Sequence, residues 1–298
     1  MKKIIFYLSL ALVWGLIPLT SNAQKFAVKA SGDLGLGNAM SLSTDLPGMT
    51  TKSSSTAFGV DFGYTFWKKG STSLELNIGL GYRMASATFD LPNMEYSYAA
   101  PASADEDGNT YMRYTTLSDM SQKVDMGYFN VPIYLQYQFR FVKWVGVHAD
   151  LGVGLGFKCS DKVGLAGGIA ETYGVYPQYD DLVIKADYMN DFGVRDLATA
   201  KTGAPEISGF SASIMAGAGF EFYVGGPVSI DLGVRYNAGL TNVFNNKYSI
   251  ASTSAITSEN APLTYSVKDG QQVKALSDYV TKSHLNPFSL HIGINVRF

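Results

Sequence analysis

The chain has 298 residues, of which 16% are charged and 13% are aromatic, with 31 glycines and a formal net charge of −2. This length allows one large domain or two small ones, and a slightly acidic chain lacks the basic surface that nucleic-acid binding needs. The single cysteine excludes an intrachain disulfide framework, a CxxC redox motif and a zinc site built on paired cysteines.

The N-terminus has the three parts of a secretory signal peptide. Lys2 and Lys3 form a basic start, an apolar stretch follows, and a small-residue cleavage site ends at Ala23. We therefore predict a signal peptide over residues 1–23 and a single domain over residues 24–298. No run of 18 apolar residues follows the signal, so the exported chain is either soluble or crosses a membrane as strands.

Eight segments of the mature chain alternate in polarity with the period of two that strands have. In chain order, the predicted strands cover residues 25–37, 56–67, 71–85, 127–139, 145–157, 209–224, 228–240 and 289–298. Three of the links between them are short: KKGS, RFVKW and GGP. The other links are long and cover roughly residues 37–56, 89–124, 158–207 and 244–284. Short turns at one end and long loops at the other are typical of an outer-membrane barrel.

The two faces of the predicted strands differ in chemistry. One face is apolar and carries no charge, whereas the other is polar and rich in glycine, for example at Gly79, Gly81, Gly152 and Gly154. A solvated strand gains nothing from glycine, but a narrow barrel lumen needs small residues beside large ones. We therefore predict an all-β fold, a closed antiparallel up-and-down transmembrane β-barrel of eight strands, with short periplasmic turns, long extracellular loops and its polar face inward. A soluble lipocalin-like barrel with its apolar face inward is the alternative.

The inward face carries six acids and four bases, which should pair with one another because unpaired buried charge is expensive. The predicted polar network of the lumen contains, beside Asp33, the residues Lys29, Asp61, Glu75, Arg83, Asp150, Glu221, Asp231, Arg235 and Arg297. Glu221 and Asp231 lie level with each other across the GGP turn. Two neighbouring carboxylates need a cation, and we expect it to be Arg235, Arg297 or Lys29.

The long links contain residues suited to recognition. The second and third combine tyrosines with acids, a chemistry that suits protein or carbohydrate surfaces. The acidic run at residues 105–108 lacks the spacing of a calcium loop, so we interpret it as solvated loop. In the fourth link, Asp269-Gly270 predicts a hairpin, which would make the barrel ten-stranded if it joined the wall. The stretch ALSDYVTKS after it predicts a short helical turn.

Three stretches, YFNVPIYLQYQF, VRYNAGLTNV and the terminal GINVRF, resemble the PorT-like outer-membrane β-barrel family of Gram-negative bacteria, small barrels of the OmpA and OmpX type. The motif positions are Phe129, Val131, Pro132, Ile133, Arg235, Tyr236, Gly239 and Leu240. The resemblance implies an outer-membrane barrel, and some members of that family serve protein secretion. The terminal Phe298 looks like the signal that the barrel-assembly machinery reads. Pro132 lacks a ladder donor, and we expect it to mark a bulge or kink near the outer end of its strand.

These patterns predict a protein of the cell outer membrane with a lumen filled by side chains and loops for binding or interaction. No catalytic, cofactor or metal site is predicted. The expected partners are outer-membrane lipid, the barrel-assembly machinery during biogenesis, and an extracellular or secretion-machinery protein, with no nucleic acid. The alternatives are an accessory component of a secretion system, a narrow channel, or a barrel enzyme that uses His148, Asp150 or His291.

Overall fold

The structure, a computed structural model, describes residues 25–105, 107–185, 192–248, 256–266 and 270–298. The predicted signal peptide therefore lies outside the described residues. Eight long strands form the wall: β1 Phe26–Leu36, β2 Thr50–Lys69, β3 Thr72–Ala100, β4 Tyr111–Val142, β5 Val145–Tyr176, β6 Phe210–Gly225, β7 Val228–Gly239 and β8 Phe288–Arg297.

Every wall strand pairs antiparallel with its neighbours in the chain, and β8 also pairs with β1. The ring is therefore closed, and the prediction of an eight-stranded up-and-down barrel is confirmed. Among the described residues the helical segments are single turns, at Ala102–Ala104, Pro177–Tyr179, Leu197–Thr199 and Leu276–Tyr279. No helix in this part of the chain is long and apolar enough to cross a membrane.

The three short links, the start of β1 at Phe26 and the last residue Phe298 lie at one end of the barrel, which is the periplasmic end. Gly70 and Gly226 adopt a φ of 58° in two of these turns, a left-handed conformation that glycine reaches without steric cost. The last residue is held on β1: the Phe298 amide donates to the Phe26 carbonyl oxygen at 2.8 Å. The C-terminus is ordered because the last strand must close the sheet against the first.

In the membrane-spanning part of the wall, polar side chains face the lumen and apolar side chains face outward. Glu75 and Asn77 are 1% and 0% exposed, whereas Leu151 and Ile294 are 64% and 54% exposed. The lipocalin-like alternative, with the apolar face inside, is therefore wrong. An unbroken row of directly paired aromatic residues marks the outer edge of the apolar band: Phe58, Tyr82, Phe129, Phe157 and Phe210.

Above this aromatic row, β3, β4 and β5 continue far beyond the bilayer. From Phe129 to Tyr111, β4 extends by roughly 60 Å at the usual rise per residue. Most of residues 89–124 and 158–207, which were predicted as long loops, is therefore strand. Alternation persists there with the polarity of the faces exchanged, so that Phe89 and Leu91 are fully buried on the inward face. The exchange occurs because water, rather than lipid, now meets the outward face.

The remaining extracellular segments pack against the inward face of this extension. We call the whole assembly the cap; its described residues are 39–49, 85–100, 111–126, 158–185, 192–207, 241–248, 256–266 and 270–285. Strand Met40–Thr44 pairs with Val280–Leu285, and Leu263–Ser266 pairs with Gly270–Val273. The second pair is the hairpin predicted at Asp269-Gly270, although Asp269 itself lies outside the described residues.

This hairpin pairs with Lys201–Thr202 and not with the wall, so the ten-stranded alternative is wrong. The helical turn predicted next to it is confirmed at Leu276–Tyr279. Two further short strands, Leu182–Ile184 and Gly193–Asp196, pair with the distal part of β5. The four long loops thus form one folded unit with β3, β4 and β5.

Pro132 does not mark a bulge, and it lies well within the wall. The β3–β4 register is the same on both sides of it, with Ile78 opposite Ile133 and Gly81 opposite Asn130. Glycine at position 79 makes room for the proline ring, because a Cβ there would lie 2.7 Å from Pro132 Cγ. The ladder donor that proline lacks is therefore lost without a change of register.

Candidate functional site

All nine side chains predicted for the lumen network are buried inside the barrel: Lys29, Asp61, Glu75, Arg83, Asp150, Glu221, Asp231, Arg235 and Arg297. They come from every wall strand except β4, which contributes the uncharged Tyr134 and Gln136, also buried. Alternation places them on one face of each strand. The closed ring then brings residues that are distant in sequence into contact.

Glu221 accepts four hydrogen bonds at the periplasmic end of the lumen. Arg297 Nη1 and Ser229 Oγ each donate to Glu221 Oε1 over 2.5 Å, and Asn295 Nδ2 donates to the same oxygen over 3.1 Å. Tyr223 donates its hydroxyl to Glu221 Oε2 over 2.8 Å. This carboxylate is therefore held by one cation and three neutral donors, which satisfies a buried charge.

The next layer of the network crosses the lumen. Lys29 Nζ pairs with Glu75 and also donates to Gln136 Oε1 over 2.6 Å. Gln136 in turn donates from Nε2 to Asp150 Oδ1 over 2.9 Å. Glu75 Oε2 also lies 4.0 Å from Arg297 Nε, so this layer is continuous with the one around Glu221.

His148 lies between two carboxylates. Its Nδ1 is 3.2 Å from Asp150 Oδ1, and its Nε2 is 2.9 Å from Asp231 Oδ1. Glu221 and Asp231 are direct partners in the β6–β7 register, as predicted. The predicted cation reaches Glu221 as Arg297, but the basic partner of Asp231 is His148, which was not among the three expected residues.

The outer layer of the network is centred on Arg235. Its two terminal nitrogens lie 3.5 Å from Asp33 Oδ2 and 3.6 Å from Asp150 Oδ2. His291 Nδ1 is 2.6 Å from Asp33 Oδ1. Arg235 therefore joins the carboxylates of β1 and β5, and Asp33 belongs to the network.

A cavity of about 30 Å³ lies beside this layer, with Asp33, Asp61, Arg83 and Arg235 among the residues that line it. It has room for about one water molecule. Tyr134 donates its hydroxyl to Asp61 Oδ2 over 2.8 Å. The lumen is thus filled by paired side chains, as eight strands allow.

Both inward-facing histidines contact carboxylates of the lumen network. The carboxylates that contact His148 and His291 belong to the lumen network, which we also call the plug. Neither histidine is hydrogen-bonded to a hydroxyl or thiol nucleophile in the described part of the chain. No group of His, Cys, Asp and Glu side chains suited to a metal ion occurs among the described residues. The contacts support a structural role for the network.

The tyrosines of the predicted recognition loops are mostly inside the cap. Tyr96, Tyr98, Tyr111 and Tyr176 are buried, which corrects the expectation that the tyrosines of these loops form an adaptable surface. Tyr96 donates its hydroxyl to the Leu263 carbonyl oxygen over 3.0 Å and accepts from the Leu263 amide. Burial raises the pKa of the Tyr111 hydroxyl to about 12. These rings hold the loops on the extended strands. Of the acidic run at 105–108, Asp105 is also buried, and Glu106 lies outside the described residues.

Apolar side chains are exposed at the far end of the cap, on residues 179–183, which we call the tip. Tyr179, Leu182 and Val183 are 54%, 49% and 49% exposed. Between them, Asp180 and Asp181 have φ values of 54° and 57°. Two consecutive left-handed non-glycine residues are uncommon and cost energy, so this turn is held by the structure around it.

Comparison with known proteins agrees with this geometry. Residues 22–245 match the sequence family described as outer membrane protein beta-barrel domain. The chain belongs to this family. The protein is accordingly placed in the outer membrane. The match ends before β8, although that strand closes the ring.

No curated protein matches the sequence. Among solved structures, the chain is similar to Ail, the attachment invasion locus protein of Yersinia pestis, solved with the heparin analogue sucrose octasulfate: identity is 11%, the TM-score is 0.29, and coverage is 93% of this chain and 100% of that one. It is also similar to Neisserial surface protein A, with 13% identity, a TM-score of 0.34, and coverage of 94% and 100%. For the outer membrane protease OmpT from Escherichia coli, the identity is 8%, the TM-score is 0.30, and coverage is 92% and 94%.

Membership of the family agrees with the barrel wall, but it does not identify the uncharged residues that hydrogen-bond to the charged side chains of the lumen network. Sequence reasoning omitted the neutral partners of the charges, chiefly Ser229, Asn295, Tyr134 and Gln136. Alternation places all four on the inward face, so that signal was available. It omitted the tip because neither the strand pattern nor any motif distinguishes exposed from buried tyrosines in a long link.

Proposed function

We propose that this protein is a non-catalytic surface protein of the outer membrane, which binds an extracellular protein through its cap. The observation that carries the proposal is the hydrophobic core of the cap, in which segments of the extracellular loops pack on the inward face of β3, β4 and β5. A folded core gives the cap a fixed surface, and rigid scaffolds of this kind are where binding segments are commonly held. The same core covers the outer mouth of a lumen that is already filled.

The tip is the surface that we propose for binding. Exposed Tyr179 and the neighbouring Leu182 and Val183 offer an apolar patch with acids beside it, and aromatic anchors dominate many protein interfaces. Buried aromatic rings inside the cap support the patch: the centroid of the Tyr176 ring is 5.1 Å from that of Tyr111 and 6.4 Å from that of Tyr179. The tip is therefore preorganised, which reduces the entropy lost on binding.

Site-specific photo-crosslinking on intact cells tests this proposal. A photoreactive phenylalanine analogue is placed at Tyr179 or, as a control, at Thr88 on the outward face of β3. We expect a discrete protein adduct from position 179 and none from position 88. Adducts of equal yield from both positions, or from neither, would contradict a binding role for the tip.

A role as an accessory component of protein secretion is the second candidate. It rests on the resemblance to PorT-like barrels, whose motif positions here lie on β4 and at the end of β7, with Arg235 in the lumen network. Deletion of the gene would then impair export of outer-membrane cargo, and normal export in the deletion strain would remove this option.

A narrow channel and a barrel enzyme are less well supported, because the network fills the lumen and occupies both inward histidines. The purified protein in a planar bilayer should show no single-channel conductance. Discrete openings would contradict the sealed barrel.

A further inference from the structure

The periplasmic mouth of the barrel contains a second cavity, separate from the cap and from the central plug. Its volume is about 230 Å³, and it lies between the β2–β3 turn and the periplasmic ends of β4, β6 and β8. Lys68, Arg140 and Arg297 line it together with hydroxyl-bearing Thr65 and Ser73. Among the described residues that line this cavity, which we call the vestibule, none is acidic.

Arg297 is only partly used by the plug. Its side chain is 8% exposed, and Nη1 is engaged by Glu221 and Ser229. Its Nη2 is buried and has no hydrogen-bond partner among the described residues. Burying a guanidinium nitrogen without an acceptor is costly, so an acceptor bound in the cavity that Arg297 lines would offset this cost after a small shift of the side chain.

Arg140 is positioned beside it at the entrance. Its guanidinium carbon lies 3.4 Å from the centroid of the Tyr223 ring, and a guanidinium has five N–H donors, more than its contact with one tyrosine can use. The backbone amide of Arg140 also donates to the Ser71 carbonyl oxygen over 2.8 Å, which fixes the residue against the β2–β3 turn. Two guanidinium groups, one lysine and several hydroxyls thus face one small space.

We propose that the vestibule is a binding site for an oxyanion that enters from the periplasm, either a phosphate group or a carboxylate. Arginine side chains recognise both groups through charge-assisted hydrogen bonds, and Lys68 adds a third positive charge. The cavity is large enough for a phosphate or for the end of an acidic side chain, and it is too small for a folded domain. The site is independent of the function proposed for the cap, because it lies at the opposite end of the barrel.

Titration of the mature protein in a non-ionic detergent tests the site. Inorganic phosphate and N-acetylglutamate serve as the two probes, and binding is followed by calorimetry and by tryptophan fluorescence. Residues 24–298 contain two tryptophans: Trp67 is next to the β2–β3 turn, and Trp144 is in the β4–β5 turn, four residues after Arg140. Tyr223 donates its amide to the Trp144 carbonyl oxygen over 2.9 Å, which links this reporter to the wall of the cavity.

The test variant is Arg140→Gln, because Arg140 is exposed and lies outside the buried plug. Lys143→Gln is the matched control: it removes the same charge three residues further along the chain, but Lys143 does not line the vestibule. We expect saturable binding of at least one probe at a single site, weakened tenfold or more by Arg140→Gln and less than twofold by Lys143→Gln.

The ratio of the two probe affinities assigns the source of the oxyanion, phosphate or carboxylate. Failure of both probes to saturate the unsubstituted protein would overturn the proposal. Equal weakening by Arg140→Gln and Lys143→Gln would also overturn it, because the attraction would then be general electrostatics. A Lys68→Gln variant provides a second measurement within the lining and should weaken binding in the same direction as Arg140→Gln.

Discussion

Replacing Glu221 by glutamine tests whether the lumen network holds the barrel together. The substitution keeps the volume and the hydrogen-bonding shape of the side chain but removes the charge that Arg297 Nη1 contacts. Arg297 would then remain buried, with Glu75 as its nearest carboxylate at 4.0 Å. Removing one partner of a buried ion pair costs about 3–5 kcal/mol. Because glutamine still accepts hydrogen bonds from Ser229 and Asn295, we expect a loss at the lower end, about 3 kcal/mol.

The double variant Glu221→Gln/Arg297→Gln separates charge from packing. Once both charges are absent, no cation is left uncompensated, and Glu75 keeps Lys29 as its partner. We therefore expect the double variant to be more stable than Glu221→Gln alone by at least about 1 kcal/mol. The effects of the two substitutions are then not additive, as expected for residues in direct contact. This sign follows from the geometry and not from the number of contacts removed.

The assay is equilibrium unfolding by urea in lipid vesicles, followed by tryptophan fluorescence from Trp67 and Trp144. Glu95→Gln is the control, because Glu95 is exposed on the outward face of β3 and should change the free energy of unfolding by less than about 0.5 kcal/mol. A Glu221→Gln protein as stable as this control would refute the reasoning. So would a double variant that loses the sum of the two single effects.

Three further predictions concern the barrel and the cap. The mature protein should migrate differently on a gel when unboiled and boiled, because a closed barrel resists detergent until heated; a single unchanged band would contradict the fold. Phe89→Ala should cost about 3–5 kcal/mol in the cap and expose its loops to protease on intact cells, while the outward Thr88→Ala leaves them protected and the barrel keeps its gel shift in both. Burial raises the pKa of Asp278 above its ordinary value of 3.8, so the folded cap binds that proton more tightly than the unfolded chain. Stability should therefore fall as the pH rises above about 3.8, and protease protection of Asp278→Asn should exceed that of the unsubstituted protein at neutral pH but equal it below that value.

The membrane-spanning part of the wall was predictable because the alternation of polar and apolar side chains is a local property of each strand. In the membrane-spanning parts of β1, β2 and β8, alternate residues are polar or small and face the lumen, and this alternation can be read without knowing any partner strand. The glycines on the polar face then decided which side was the inside. Family membership and the closed ring agree with both inferences.

The cap was not predictable in the same way. Phe89 and Leu91 continue the alternation of β3, but they lie on the face that carries Glu75 and Arg83 lower down. A search for an apolar outward face therefore ends the strand near Ala85. The position at which the outer solvent changes from lipid to water depends on the depth of the whole barrel, which no local pattern records.

The sequence by itself determined the eight wall strands, their inward and outward faces, and the end of the barrel at which Phe298 lies. These follow from period-two chemistry and from the lengths of the links. Only the tertiary structure decided which charges meet, because Lys29, Glu75 and Gln136 become neighbours through strand pairing and ring closure. It also decided that the extracellular loops share one core, since their apolar residues are buried only against the extension of β3, β4 and β5.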